Sequence, residues 1–306
     1  MNNPYLNEIT GPVIPLPTPF NADESVDHES LHNYVTFLVD NGIKNIMTTV
    51  GTSRYNLLTN EEVKAVNETV VKAAAGKAKT IVANPPFGGQ MHALEFAKHA
   101  EEIGADLYLA YFPDRNYGEN DILNFFQELS DAINIGILIH EMPLRNGLGG
   151  GAVQYSVPLL KKLLQIKNVV GVKEEALDIA HSNAVVRAIS SEAVIIGAGG
   201  GMSRYLRDYW LGAKAFLGGI GNFAPQVELD FYQLFENKEF EKAYQLVEEV
   251  ELPFFQDVVP FGWHPSLKGM LHLCGHMQEF ERRPLKQNSK EELNQLKATL
   301  QKNNWL

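Results

Sequence analysis

Eight short apolar runs alternate with amphipathic stretches along this chain, and that alternation constrains the fold more than any other feature. The runs lie at 13–17, 45–50, 80–83, 106–111, 135–140, 169–173, 193–196 and 215–217. Each is short and nearly continuous in its apolar character, as in a strand buried on both faces. Between and after them, residues 28–40, 60–75, 91–103, 121–132, 153–164, 179–189, 203–211 and 226–235 carry apolar side chains at helical spacing. Thr59-Asn60-Glu61-Glu62 has the form of a capping box and marks one helix start. Strand–helix units in succession imply a parallel sheet with right-handed crossovers. Eight such units close a barrel, and their span of roughly 220 residues suits the ~250 typical of that architecture. The expected fold class is therefore α/β: a (β/α)8 TIM barrel over residues 1–236 with a small C-terminal helical extension over 237–306. In the extension, 238–250 and 265–274 look helical, and Ser289-Lys290-Glu291-Glu292 opens a last helix.

Catalytic groups of such barrels sit at the C-terminal ends of the strands. Lys173 closes the sixth apolar run and His140 closes the fifth. Alternation places Val169, Gly171 and Lys173 on one face of one strand, and Gly136, Leu138 and His140 on one face of the other. If those faces point inward, the glycines leave room and the two polar groups meet at the barrel mouth. Desolvation at the end of an apolar strand lowers a lysine's pKa and frees its lone pair, as Schiff-base chemistry requires. The plain alternative is a lysine that snorkels to the rim or pairs with Glu174 or Glu175. The segment alone leaves the two readings level. For His140, taken alone, a satisfied core or rim histidine is the commoner fate.

Further segments tip the balance. Gly51-Thr52-Ser53 follows the second run, Pro143, Arg145 and Gly147 follow the fifth, and Val170-Gly171-Val172-Lys173-Glu174 closes the sixth. With residues 11–20, 212–219 and the late Arg283-Pro284-Leu285, they make the chain resemble the dihydrodipicolinate synthase/N-acetylneuraminate lyase family of class I pyruvate-dependent aldolases over nearly its whole length. The resemblance implies that Lys173 condenses with the ketone of a 2-oxo acid, usually pyruvate, without a cofactor or metal. It implies that amides and hydroxyls of the loop Gly51-Thr52-Ser53-Arg54-Tyr55 hold the acid's carboxylate. Arg145 resembles an arginine of the synthase branch that meets a carboxylate on the second substrate, a task suited to a planar guanidinium. The plain readings are an ordinary polar loop and a solvent-facing arginine. The family also implies a homo-oligomer, a dimer or tetramer.

The departures matter as much. His140 stands where the family has a proton-relay tyrosine. The second relay tyrosine falls at Phe112, with Tyr111 beside it. The third relay hydroxyl is kept as Ser53, and Arg54-Tyr55 replaces a Gly-Glu pair. An imidazole titrates near neutrality whereas a phenol holds its proton to about pH 10. His140 is thus expected to act as a general acid/base with its own pH profile. Arg54 either adds a cation for an acidic substrate or fills the pocket, with Tyr55 standing in for a missing phenol. The expected catalytic set is Lys173, His140 and Ser53. The expected binding set is Thr52, Ser53, Arg145, Arg54 and Gly199. The expected function is an aldolase or lyase joining or cleaving pyruvate and an acidic aldehyde. A dehydratase of a 2-oxo-3-deoxy sugar acid and a non-catalytic 2-oxo acid binding barrel are the alternatives. A metal-dependent aldolase is more distant, because no ligand cluster is evident.

Composition bounds the rest. The chain has 37 acidic and 26 basic residues, a formal net charge of -11, and no basic block, which argues against nucleic acid or an anionic membrane as partner. Cys274 is the one cysteine, so no intrachain disulfide forms, as suits a reducing compartment. No apolar run approaches the ~20 residues of a membrane helix, and the first residues carry no secretory pattern. The cytoplasm is the expected location. The glycine-rich stretch 197–201 lacks a dinucleotide fingerprint and is expected to shape the rim near the substrate. Gly149-Gly150-Gly151 reads as a loop over the mouth. His272 and His276, four apart on an expected helix, have a zinc-compatible spacing but no third ligand.

Overall fold

The computed structural model describes residues 3–113, 118–142 and 154–306. Eight parallel strands close into a barrel in sequence order: β1 Gly11–Pro15, β2 Asn45–Thr48, β3 Lys79–Ala83, β4 Leu107–Ala110, β5 Gly136–Glu141, β6 Val169–Glu174, β7 Val194–Gly197 and β8 Ala215–Leu217. β8 pairs with β1 to close the ring. Around it run α1 His28–Asp40, α2 Asn60–Ala74, α3 Gln90–Glu102, α4 Glu119–Ala132, α5 Val157–Leu163, α6 Ile179–Ile189, α7 Gly201–Asp208 and α8 Pro225–Glu236. The chain is thus a TIM barrel, as the alternation implied. Thr59 and Glu62 form the expected box at the start of α2, each side chain accepting the other's backbone N–H at 3.2 and 2.9 Å.

Inside the barrel Met47, Ile81, Leu107, Leu109, Leu138 and Ile196 form one apolar cluster. A second layer fills the space between strands and helices. Tyr5, from a 3₁₀ turn at Pro4–Asn7, packs against the inner cluster, and its hydroxyl accepts the Gly136 N–H at 3.2 Å.

The strand that carries Lys173 is irregular. Ile137 of β5 lies opposite Val169, yet Leu138 lies opposite Gly171, so Val170 is an extra residue in a bulge. Simple alternation therefore fails at the strand start: Val169 packs in the outer layer and Val170 in the inner cluster. Beyond the bulge the register recovers and His140 lies directly opposite Lys173. The glycines here permit close approach of backbones. A Cβ at Gly171 would stand 2.3 Å from the Val194 carbonyl oxygen, and one at Gly136 would stand 2.6 Å from Leu107 Cδ2.

The C-terminal helices are α9 Phe240–Leu246, α10 Leu252–Val258, α11 Trp263–Leu273 and α12 Lys290–Lys302. The helical pattern at 238–250 stopped short of Pro253. The chain instead passes through a π turn at Val247–Glu251 into α10, whose second residue is Pro253. Phe254, Leu267, Leu296 and Leu300 share one core with Tyr34 of α1 and Phe231 and Phe235 of α8. α11 ends at Leu273, followed by Gly275 at φ 79°, so His276 is not on the helix with His272. His276 packs against Phe37 with ring centres 4.0 Å apart.

Gly171→Ala is expected to destabilise the protein by about 3 kcal/mol or more, because the added methyl meets backbone rather than a yielding side chain. Urea unfolding followed by circular dichroism measures it; an unchanged midpoint would contradict the packing described.

Candidate active site

The recovered register of β5 and β6 sets the geometry at the barrel mouth. Lys173 Nζ lies 2.7 Å from His140 Nε2, and both side chains are only 3% exposed. The chain beyond β6 brings Glu175 back over them. Its Oε2 is bonded to Lys173 Nζ and lies 3.0 Å from His140 Nε2. The plain alternative for Lys173, pairing with a neighbouring glutamate, is therefore part of the structure, and Glu175 is the partner. Glu174 faces the other way. It accepts the Ala176 N–H at 2.8 Å and the Ser182 hydroxyl at 2.6 Å, and pairs with Arg204.

Burial pulls the Lys173 ammonium below the usual lysine range, with Glu175 opposing that shift. Burial also pushes the Glu175 carboxyl up, but Lys173 and His140 together outweigh it and bring it to about 2. The cluster thus holds an ionised carboxylate beside an amine that is easier to deprotonate than an exposed one. The Tyr111 ring packs on His140 with centres 4.8 Å apart, and Tyr55 packs on Tyr111 at 5.9 Å. Phe112 points outward onto Phe125 of α4, ring centres 5.1 Å apart. The phenol beside His140 is therefore that of Tyr111.

A cavity of about 470 Å³ opens beside this cluster, with Thr52, Glu175, Gly199, Ser203 and His264 in its wall. The rest of the wall is mainly apolar, supplied by Leu217, Leu252, Phe255 and Trp263. Burial, reinforced by Arg54, holds His264 down at about 4, so it is a neutral imidazole at neutral pH.

The strand-two loop is a 3₁₀ turn at Gly51–Ser53. Thr52 reaches the cavity wall. Ser53 is wholly buried; its hydroxyl donates to the Leu16 carbonyl at 2.5 Å and accepts the Val50 N–H at 3.3 Å. Arg54 occupies the left-handed region at φ 61°. Its guanidinium binds Glu281 at 2.6 Å and the carbonyls of Thr52 and His264 at 2.9 and 3.2 Å. Arg54 thus fills space under the loop and ties it to the C-terminal segment. Lys268 is also buried there, donating to the Thr18 carbonyl at 3.0 Å, and burial lowers it to about 8. Arg145, with Pro143, Gly147 and Gly149-Gly150-Gly151, lies outside the described residues.

Gly199 lines the cavity at φ 76°, where a Cβ would stand 3.7 Å from Glu175 Cγ. The start of α7 already holds an anion: Glu251 accepts the N–H groups of Met202 and Ser203, each at 2.7 Å. Glu228 accepts the Gly219 N–H at 2.7 Å and braces the loop after β8. Among the described residues no group of three His, Cys, Asp or Glu side chains is placed to hold a metal ion. No helix among them is long and apolar enough to cross a membrane.

Sequence reasoning missed the cavity wall from Ser203, Phe255, Trp263 and His264, because distant segments meet there only on folding. It gave Glu175 no role beyond pairing. The available signal was the second carboxylate in Lys173-Glu174-Glu175, since side chains two apart on an extended chain share a face.

Fold and site together define a TIM barrel with a buried lysine, an imidazole and a carboxylate at its C-terminal mouth. A model of the dihydrodipicolinate synthetase family matches residues 8–303, and the chain belongs to that family of aldolase-type lyases. It is 28% identical over 299 residues to 4-hydroxy-tetrahydrodipicolinate synthase of Aquifex aeolicus, covering 96% of this chain and 97% of that one. It is similar to the crystal structure of dihydrodipicolinate synthase from Aquifex aeolicus, with a TM-score of 0.84, 26% identity, and 97% and 99% of the two chains covered. It is also similar to N-acetylneuraminate lyase from Mycoplasma synoviae, with a TM-score of 0.82, 25% identity, and 97% and 99% covered.

Glu281→Gln is expected to cost about 3–5 kcal/mol by leaving the Arg54 guanidinium buried without its counter-charge. Urea denaturation measures it, and a loss under 1 kcal/mol is the contrary result. Glu228 gives a pH signature. Its folded carboxyl is pushed up to about 7 by burial, above the ordinary 4.5. The associated stability is complete below pH 4.5 and is lost as the pH rises through 7. Glu228→Gln should therefore gain on the wild type across that window by on the order of 3 kcal/mol, read from unfolding midpoints at several pH values.

Proposed function

We propose that this chain is a class I, Schiff-base-forming aldolase or lyase in which Lys173 condenses with the ketone of pyruvate or a close 2-oxo acid. The observation that carries this reading is the Lys173 amine, desolvated at the barrel mouth and 2.7 Å from an imidazole that can take its proton. Lys173 enters as the ammonium and lends one proton to the cluster. The amine attacks C2 of the keto acid, forming a C–N bond, and the carbonyl oxygen takes a proton. The nitrogen sheds one proton to give the carbinolamine, whose oxygen takes a second proton from the cluster and leaves as water, so that an iminium remains. Thr52 and the amides of the turn at Gly51–Ser53 hold the acid's carboxylate. His140 is the proton carrier nearest the nitrogen. Ser53 is assigned to holding the loop against β1 through its bond to Leu16, with proton transfer secondary.

The second substrate is an aldehyde. Its acidic character rests on Arg145, and its apolar body on the wall of Leu252, Phe255 and Trp263. That wall favours the aldol reading over dehydration of a hydroxyl-rich sugar acid, whose hydroxyls would lose water there without replacement. The family resemblance carries a homo-oligomer with it, and the single cysteine suits the cytoplasm.

Borohydride reduction in the presence of pyruvate, followed by intact mass, tests the reading. A pyruvyl adduct on the wild type, lost in Lys173→Ala together with at least ~10³-fold of turnover, is the expected result. Binding of pyruvate without an adduct would instead support a non-catalytic 2-oxo acid binding barrel.

A further inference from the structure

We infer that Glu175 is the catalytic base that removes the C3 proton of the keto acid bound to Lys173 and then returns it to the aldehyde oxygen. The inference rests on the Schiff-base reading of Lys173 and adds the residue that drives its second half. Geometry selects Glu175 among the groups at the mouth. One carboxylate oxygen is bonded to Lys173 Nζ, the atom that becomes the imine nitrogen. The carbon to be deprotonated is two bonds from that nitrogen. Glu175 also lines the cavity where the rest of the substrate must lie, and its side chain is 25% exposed. His140, at 3% exposed, is wedged beneath Tyr111 with Nε2 engaged by both Lys173 and Glu175. The Ser53 hydroxyl is directed at the Leu16 carbonyl. Gly199 lies beside Glu175 in the cavity wall, at a φ of 76° that favours glycine.

The step balances. The C3–H bond breaks and its proton goes to the Glu175 carboxylate. The C–H electron pair becomes the C2–C3 π bond, and the C=N π pair moves onto nitrogen, giving a neutral enamine. The enamine C3 then attacks the aldehyde carbon. The carbonyl π pair moves to oxygen, which takes the proton from Glu175 as the iminium reforms. Water hydrolyses the iminium, freeing product and Lys173. In the cleavage direction the same proton moves the opposite way.

A carboxylate beside a cation is ordinarily a weak base. Here the cation vanishes in the step that needs the base, because deprotonating C3 neutralises the iminium. Burial, which raises the Glu175 carboxyl, is then opposed by His140 alone and no longer by the charge on the Lys173 nitrogen. The acid so formed is ready to protonate the nascent alkoxide.

Two readouts separate this step from imine formation: borohydride trapping with pyruvate, and exchange of pyruvate methyl protons for deuterium followed by proton NMR. In Glu175→Gln, trapping at Lys173 should persist, because the amide still fits and no longer stabilises the ammonium. Methyl exchange and aldol turnover should fall by about 10²–10⁴-fold, and Glu175→Asp should recover part of both. Exchange at the wild-type rate in Glu175→Gln overturns the assignment. So does loss of trapping with loss of exchange in a folded Glu175→Gln, which would make Glu175 a positioning residue for Lys173. A wild type that exchanges nothing and traps nothing would instead remove the Schiff-base reading beneath it.

Discussion

A charge taken out of water costs several kcal/mol unless a partner meets it, and that cost organises the C-terminal face of this barrel. Four buried glutamates there have a specific answer. Glu174 meets Arg204 and Ser182, and Glu141 meets His181 at 2.6 Å and the Tyr155 N–H at 2.8 Å. Glu251 takes the start of α7, and Glu281 takes Arg54. Glu141 and Glu174 fasten the ends of β5 and β6 from outside the barrel, Glu251 the turn after β7, and Glu281 the loop after β2. Glu175 is answered by groups of the site itself, Lys173 and His140. The outer pairs hold the strand ends still, so the inner cluster keeps its spacing although every member is capable of moving a proton.

The side chains around Lys173 are where this chain departs from the pattern that the resemblance implied. The relay phenol expected to close β5 is an imidazole, and position 112 carries a ring without a hydroxyl. The structure does not simply leave a gap. Tyr111 turns inward and stacks on His140, while Phe112 turns out. Tyr55, from the loop after β2, stacks behind Tyr111. Lys173 is thus surrounded by an imidazole, a carboxylate and aromatic walls, built in part from residues adjacent to the altered positions.

The barrel was legible because its cause is periodic: short buried strands and one-faced helices repeat along the chain, and eight of them close on themselves. Lys173 and His140 were legible because parallel pairing of consecutive strands makes neighbours of their last residues. The bulge at Val170 was not legible, since nothing in Asn168-Val169-Val170-Gly171 says which valine is extra. It flipped Val169 without disturbing Lys173, because two faces change at the bulge and the register recovers beyond it. The sequence left Arg54 open between a cation for substrate and a filler of the pocket, because its partner, Glu281, is 227 residues away in sequence. The stretch 197–201 read as rim near the substrate; Gly199, Gly200 and Gly201 line the cavity, while the Met202 and Ser203 amides just beyond them are taken by Glu251 from the π turn, which no local pattern announced.

The cavity wall has a different origin from the chemistry. Bond-making groups stand on β5 and β6, at the heart of the sheet. Leu252, Phe255 and Trp263 come from helices past the last strand, on a segment that contributes nothing to closing the ring. Selection acting on those helices can therefore reshape what is accepted without touching how it reacts, a division of labour that lets one scaffold drift between substrates while its reaction stays the same.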